Sequence, residues 1–141
     1  MSNYLQEPIS NGNPKEQALI RRWWHEKQGL KGTLIWEYYL EGKYADAILI
    51  PGATESGADY PGKSTSERFP LKGVEIILCE AKLDLTPEVV GQALVYTNFA
   101  KAAGAKVLGT IVFCEKGSDS MRRAAIELGL NLEIGPLGQA K

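Results

Sequence analysis

The apolar run Val74-Glu75-Ile76-Ile77-Leu78-Cys79 has the length of a strand and stops on Glu80-Ala81-Lys82. Side chains alternate faces along a strand, so Glu80 and Lys82 share one face at the end of a segment otherwise suited to a core. A carboxylate and an amine in that position need a partner or a task, because burying an unpaired charge is costly.

The rest of the chain supplies elements around this segment. Asn13-Pro14-Lys15-Glu16 reads as a helix start, with Asn as N-cap and Pro at the first helical position. That helix is expected to run to about Lys27, with Leu19, Ile20, Trp23 and Trp24 as its buried stripe and Arg21, Arg22, Glu26 and Lys27 on its wet side. Because Trp23 and Trp24 are consecutive, at most one is expected to point fully inward, leaving the other for a partner, a second subunit or a base. Thr33 to Leu40 and Tyr44 to Ile50 are rich in aromatic and β-branched residues and flank Glu41-Gly42-Lys43, the pattern of a hairpin.

From Pro51 to Gly73 the sequence turns to Gly, Pro, Ser, Thr and charge, a loop longer than compact domains usually keep without purpose. Val74 to Lys82 is the third strand, and Thr86-Pro87 opens a helix that Gly104 stops. Val107 to Cys114 is a nearly all-apolar fourth strand. Ser118 to Leu128 is a further helix, and Asn131 to Ile134 a short edge strand. The expected order is α, β, β, β, α, β and then α, β, in one α/β domain over residues 13–141 behind a flexible opening at residues 1–12.

With 141 residues the chain can bury roughly two-thirds of its unfolded surface without disulfide or structural metal. Sixteen basic and seventeen acidic residues leave a net charge of -1, so a nucleic-acid site would have to be local. Arg22, Lys63, Lys72 and Lys101 are candidate phosphate contacts. Cys79 and Cys114 lie inside apolar runs and read as buried free thiols of a reducing compartment, and the opening residues resemble no secretion signal. The expected location is the cytoplasm.

Asp46 stands among apolar neighbours in Tyr44-Ala45-Asp46-Ala47-Ile48-Leu49-Ile50. With Glu80 on an adjacent strand, two carboxylates could converge at one end of a sheet, and hard oxygen ligands without His or Cys suit Mg²⁺ or Mn²⁺ better than zinc. Lys82 could orient or deprotonate a water. A divalent ion, a lysine and a water are the parts needed for attack on a phosphodiester.

Over roughly Asn13 to Cys114 this arrangement resembles the PD-(D/E)xK nuclease superfamily. Asp46 matches the first acid of the motif and Glu80-Ala81-Lys82 matches (D/E)xK, with Ala45 in place of the proline. Gln92 and Tyr96, one helical turn apart, are similar to the Q-x-x-x-Y signature of the RecB-like branch. The resemblance implies a restriction-endonuclease-like core, a mixed β-sheet flanked by helices. It also implies a metal held by Asp46, Glu80 and the backbone carbonyl of Ala81, Lys82 beside the nucleophilic water, and Gln92 and Tyr96 near the site. Glu16 occupies the place where several branches, among them Holliday-junction resolvases, carry a further acidic metal ligand. The implied activity is metal-dependent cleavage of nucleic acid, DNA foremost, in repair, recombination, restriction or mobile-element processing, by a homodimer or with a partner subunit.

Other readings of the same residues stay open. Asn13-x-x-Glu16 has the spacing of a capping box, in which Glu16 would bond the N-cap backbone instead of a metal. Gln92 could be a solvated helix residue, and Tyr96 a core aromatic with a wet hydroxyl. At the level of function the alternatives are an inert nuclease-like module that binds nucleic acid or protein, and a resolvase acting on branched DNA.

Overall fold

Each helix begins where a side-chain oxygen takes a backbone N–H that the first turn leaves without a partner. Asn13 Oδ1 accepts from Lys15 N at 2.9 Å and Glu16 N at 3.2 Å, Thr86 Oγ1 from Val89 N at 3.4 Å, and Ser118 Oγ from Met121 N at 3.2 Å. The computed structural model describes residues 4–9, 12–53, 59–60 and 67–137. In chain order the elements are α1 (Pro14–Glu26), β1 (Thr33–Leu40), β2 (Lys43–Ile50), β3 (Asp59–Tyr60), β4 (Glu75–Ala81), α2 (Pro87–Ala102), β5 (Lys106–Cys114), α3 (Asp119–Glu127) and β6 (Asn131–Ile134).

The strands form one mixed sheet of six in the order β3-β1-β2-β4-β5-β6. β2 runs antiparallel to both β1 and β4, whereas β5 is parallel to β4 and β6 parallel to β5. The expected elements are all present, and β3 is the addition. It is a two-residue strand inside the segment read as a loop, parallel to β1 through Leu34↔Asp59 and Ile35↔Tyr60, and too short to carry a strand period. Residues 54–58 and 61–66 of that loop, Lys63 among them, lie outside the described residues. Its return is anchored by the Tyr38 hydroxyl, which donates to Phe69 O at 2.6 Å, and by buried Leu71.

α1 covers one face of the sheet and α2 with α3 the other. Leu19, Ile20, Trp23 and Trp24 pack on Trp36, Leu49, Cys79 and Phe113, while Val89, Val90, Ala93 and Ala125 meet Val112 and Cys114 on the opposite side. Both tryptophans are buried, against the expectation that one would stay outward. Trp23 meets the Phe113 ring edge-on with centroids 5.4 Å apart. Trp24 is covered by the helix exit, where its Nε1 donates to Lys31 O at 3.0 Å. Arg21 also leaves the expected wet side: it is buried with its guanidinium over the Trp36 ring, 5.0 Å from the centroid.

Residues 4–9, placed by sequence in the flexible opening, lie along α1. The Gln17 side chain accepts from Ile9 N at 2.8 Å and donates to Ile9 O at 3.0 Å, and the Tyr4 hydroxyl donates to Glu26 at 3.0 Å.

The β1–β2 hairpin changes face midway. Trp36 and Ala47 belong to the α1 face, yet Tyr38, Leu40 and Ala45, two and four positions on, belong to the α2 face. Regular alternation would keep them together. The register runs Trp36↔Ala47 and then Tyr38↔Ala45, omitting Glu37 and Asp46, and Glu37 has φ +49. A single left-handed residue in mid-strand therefore rotates the pleat, and the two residues at the rotation are both acids.

Two glycines separate conformational cost from steric cost. Gly42 (φ +87), in the hairpin turn, has open space where a Cβ would sit, whereas a Cβ on Gly32 (φ +81) would lie 2.5 Å from Ile50 O. Gly42→Ala is expected to cost about 1 kcal/mol and Gly32→Ala about 3 kcal/mol or more in urea unfolding. Equal costs would mean that the β1 entry shifts freely away from Ile50.

Candidate functional site

Asp46 and Glu80 face each other where β2 and β4 stop pairing. The register ends at Ala47↔Cys79. Beyond it Asp46 N donates to Glu80 Oε2 at 2.8 Å, and Ala81 N donates to Asp46 Oδ2 at 2.8 Å. Each carboxylate thus takes a backbone N–H from the opposite strand, a reciprocal clasp in place of the next rung. Glu80 is only 2 % exposed, and Asp46 is partly open to a cavity of about 350 Å³ lined by Gly12, Asn13, Glu16, Gln17, Ile20, Glu37, Asp46 and Ala81.

The helix acid belongs to this cavity. Asn13 caps α1 through its own side chain, and Glu16, instead of reaching back in a capping box, lines the cavity with Asp46. Burial raises the Glu16 pKa, and the Lys82 ammonium pulls it back in part. Lys82 itself is exposed directly after β4, its backbone N–H tied to Phe113 O at 2.9 Å, and its charge acts on both Glu16 and Asp46.

The pair expected from α2 divides. Tyr96 is half-buried and stacked on Phe99 with centroids 6.3 Å apart. Burial raises its pKa first, with the negative charges of Glu80 and Asp46 adding to the shift, so its hydroxyl senses the site. Gln92 is exposed on α2 and takes no part in the cavity wall. Of the basic candidates, Arg22 is committed to the C-terminal segment through Pro136 O at 2.7 Å and Gly135 O at 2.8 Å. Lys72 and Lys101 line two other cavities, so these cations do not gather at the acids.

Glu37 is the site residue that sequence reasoning missed. In Thr33–Leu40 it occupies a polar slot of an ordinary strand, and nothing in the residue order announces the left-handed turn that sends it into the cavity.

Burial drives the Asp46 pKa up to about 6, opposed by the Ala81 N–H and Lys82 and reinforced by the charges of Glu16 and Glu37. Burial likewise puts Glu80 well above the usual carboxylate range, with the Asp46 charge adding to it. Two carboxylates this close disfavour full ionisation, so the pair retains protons that isolated side chains would release. The donors are all oxygen, a set suited to a hard divalent cation. Among the described residues no three Asp, Glu, His or Cys side chains are already drawn together as a metal cage. The buried Oε1 of Glu37, which has no hydrogen-bond partner, is the feature of this cavity that fits a cation.

Comparison with protein-family models, curated proteins and solved structures gave no match to this chain. No helix among the described residues is long and apolar enough to cross a membrane. Cys79 and Cys114 are buried free thiols.

A raised carboxylate pKa makes the folded state the stronger proton binder, so its contribution to stability is complete below the unfolded value and is lost as pH rises through the folded one. For Asp46 that window runs from 3.8 to about 6. In metal-free buffer, thermal unfolding of the wild type is expected to lose more stability between pH 4 and pH 7 than Asp46→Asn does. Parallel profiles would show that Asp46 does not hold its proton.

Proposed function

We propose that this protein is a divalent-metal-dependent nuclease of the PD-(D/E)xK type that hydrolyses phosphodiester bonds, with DNA as its substrate class. The observation that carries this reading is the Asp46–Glu80 clasp on adjacent strands, with Lys82 next along the chain and Glu16 across the cavity. The helix, three strands, helix, strand order of the restriction-endonuclease-like core corresponds to α1, β1, β2, β4, α2 and β5, and β3 falls at the far edge, outside that core.

In this reading Asp46, Glu80 and the Ala81 carbonyl would hold Mg²⁺ or Mn²⁺. When bound, the ion supplies positive charge opposite the phosphate oxygens and acidifies water. Lys82, exposed at the rim, would orient the attacking water and set its positive charge beside the phosphate, the proton of the water passing to solvent. Glu16 lies on the α1 side of the cavity, where it can hold the same water or a further cation. The Tyr96 hydroxyl, close enough to sense the acids, donates to the scissile strand, and exposed Gln92 contacts its backbone further out. Because Asp46 and Glu80 hold protons, a bound cation would compete with those protons, and affinity for it would rise with pH.

One observation favours a second reading. Asp46 and Glu80 are already satisfied by backbone N–H groups, and a clasp of that kind also serves a purely structural purpose, as it would in an inert module that binds nucleic acid or protein.

The two readings part in a cleavage assay on circular single-stranded, linear duplex and branched DNA and on RNA with Mg²⁺ or Mn²⁺. Lys82→Ala, an exposed substitution that leaves the core untouched, is expected to lower cleavage at least about a hundredfold with an unchanged Tm. Preferential cutting of the branched substrate would make the enzyme a junction resolvase. Folded wild-type protein that cuts nothing would favour the inert module.

A further inference from the structure

Glu37 breaks three regularities of the structure at once. Its φ of +49 places it in the left-handed region within a strand. Among the described residues two other non-glycine residues share that conformation, Leu30 (φ 59) and Glu41 (φ 48), but Leu30 lies at the exit of α1 and Glu41 in the hairpin turn, where the chain reverses. Glu37 sits between Trp36 and Tyr38, both paired across to β2, and no reversal accounts for it. Such a conformation costs about 1 to 3 kcal/mol at a non-glycine residue.

The second regularity is hydrogen bonding. Among the described residues, Glu37 Oε1 is the fully buried side-chain nitrogen or oxygen without a partner, although buried polar atoms are almost always paired. The third is electrostatic. The side chain lies in a cavity that already contains the carboxylates of Glu16 and Asp46, where like charges repel and a turn outward would have relieved them. Burial of Trp36 and Tyr38 on opposite faces holds the backbone rotation, but it does not require a carboxylate at its centre.

We propose that Glu37 is a cation-binding residue, a carboxylate delivered from β1 by a left-handed mid-strand residue to close the divalent-ion site of Asp46 and Glu80 from the hairpin side. The proposal rests on the metal-dependent reading above and adds to it a ligand outside the (D/E)xK pattern. Asp46 Oδ2 and Glu80 Oε2 each already accept an N–H, whereas the buried Oε1 of Glu37 accepts none and is open to an arriving ion.

Mn²⁺ titration followed by electron paramagnetic resonance, together with the Mn²⁺-induced rise in Tm, tests this without reference to cleavage. The proteins are wild type, Glu37→Gln, Glu37→Asn and Glu80→Gln. Asn tolerates the left-handed conformation well and guards against a folding defect in the Gln variant. Both Glu37 variants are expected to bind Mn²⁺ at least about tenfold more weakly and to lose most of the Tm rise, because removing a charged oxygen ligand lowers affinity for hard cations. Their metal-free Tm should equal or exceed that of wild type, since both remove a negative charge that Glu16 and Asp46 repel. If Mn²⁺ binds both variants as tightly as wild type while Glu80→Gln loses it, the assignment of Glu37 falls and the nuclease reading stands. If wild type itself binds no Mn²⁺, both fall. A metal-free Tm that drops in both variants with unchanged affinity would make Glu37 a structural residue and overturn the proposal.

Discussion

Everything at the candidate site depends on the exchange of hydrogen bonds between two carboxylates and two backbone N–H groups at the end of the β2–β4 ladder. Antiparallel strands normally continue to pair until a turn ends them. Here the ladder stops at Ala47↔Cys79, and the next rung is made by side chains. Each carboxylate satisfies a buried donor that would otherwise be orphaned, at a cost of about 1 to 3 kcal/mol. The clasp keeps the strands joined where their ladder ends. It fixes Asp46 against β4 and Glu80 against β2, so the acids hold a defined geometry without leaning on a loop.

The flanking elements make that geometry one-sided. α1 closes the Asp46 side through Glu16, Gln17 and Ile20, and Tyr96 of α2 lies within electrostatic reach on the other. Glu16, Glu37, Asp46 and Glu80 are thereby collected in a protein whose net charge is only -1, and Lys82 is the cation whose field reaches Glu16 and Asp46. Nearby Arg21 is engaged with Trp36. Such a cluster stays compatible with folding by holding protons, which is the physical content of the raised Asp46 and Glu80 pKa values. In the proposed cation site, protons and a divalent ion would compete for the same oxygens.

Much of the architecture was legible in the residues because local chemistry and tertiary structure agree there. Asn13, Thr86 and Ser118 cap helices that their neighbours favour, and the apolar runs at Val74–Cys79 and Val107–Cys114 form strands whose later residues, Leu78, Cys79 and Ile111 to Cys114, are buried. Asp46, Glu80 and Lys82 stood out for the complementary reason, as charges where hydrophobic pattern alone would put none. What could not be read depended on contacts remote in sequence. Arg21 looks like a surface position by helical spacing, and the adjacency of Trp23 and Trp24 argues against burying both, yet Trp36 and the Lys27–Lys31 exit cover Arg21 and Trp24. Glu37 was invisible because alternation in β1 assigns a glutamate there to solvent. Its true direction follows from a backbone rotation that residue type does not encode.

That rotation persists because its neighbours over-determine it. Trp36 is fully buried on the α1 face and Tyr38 almost so on the α2 face, each among the largest side chains of the core, and the Tyr38 hydroxyl is fixed to Phe69 O at 2.6 Å. Returning residue 37 to a regular β conformation would drive one of these rings toward solvent, losing about 2 to 3 kcal/mol of burial for each large side chain, comparable to or greater than the strain removed. The fold therefore holds Glu37 in an unfavourable conformation at little risk of relaxation. In the proposed cation site, a carboxylate so constrained would keep its direction with or without the ion, unlike a surface acid that must be ordered on binding.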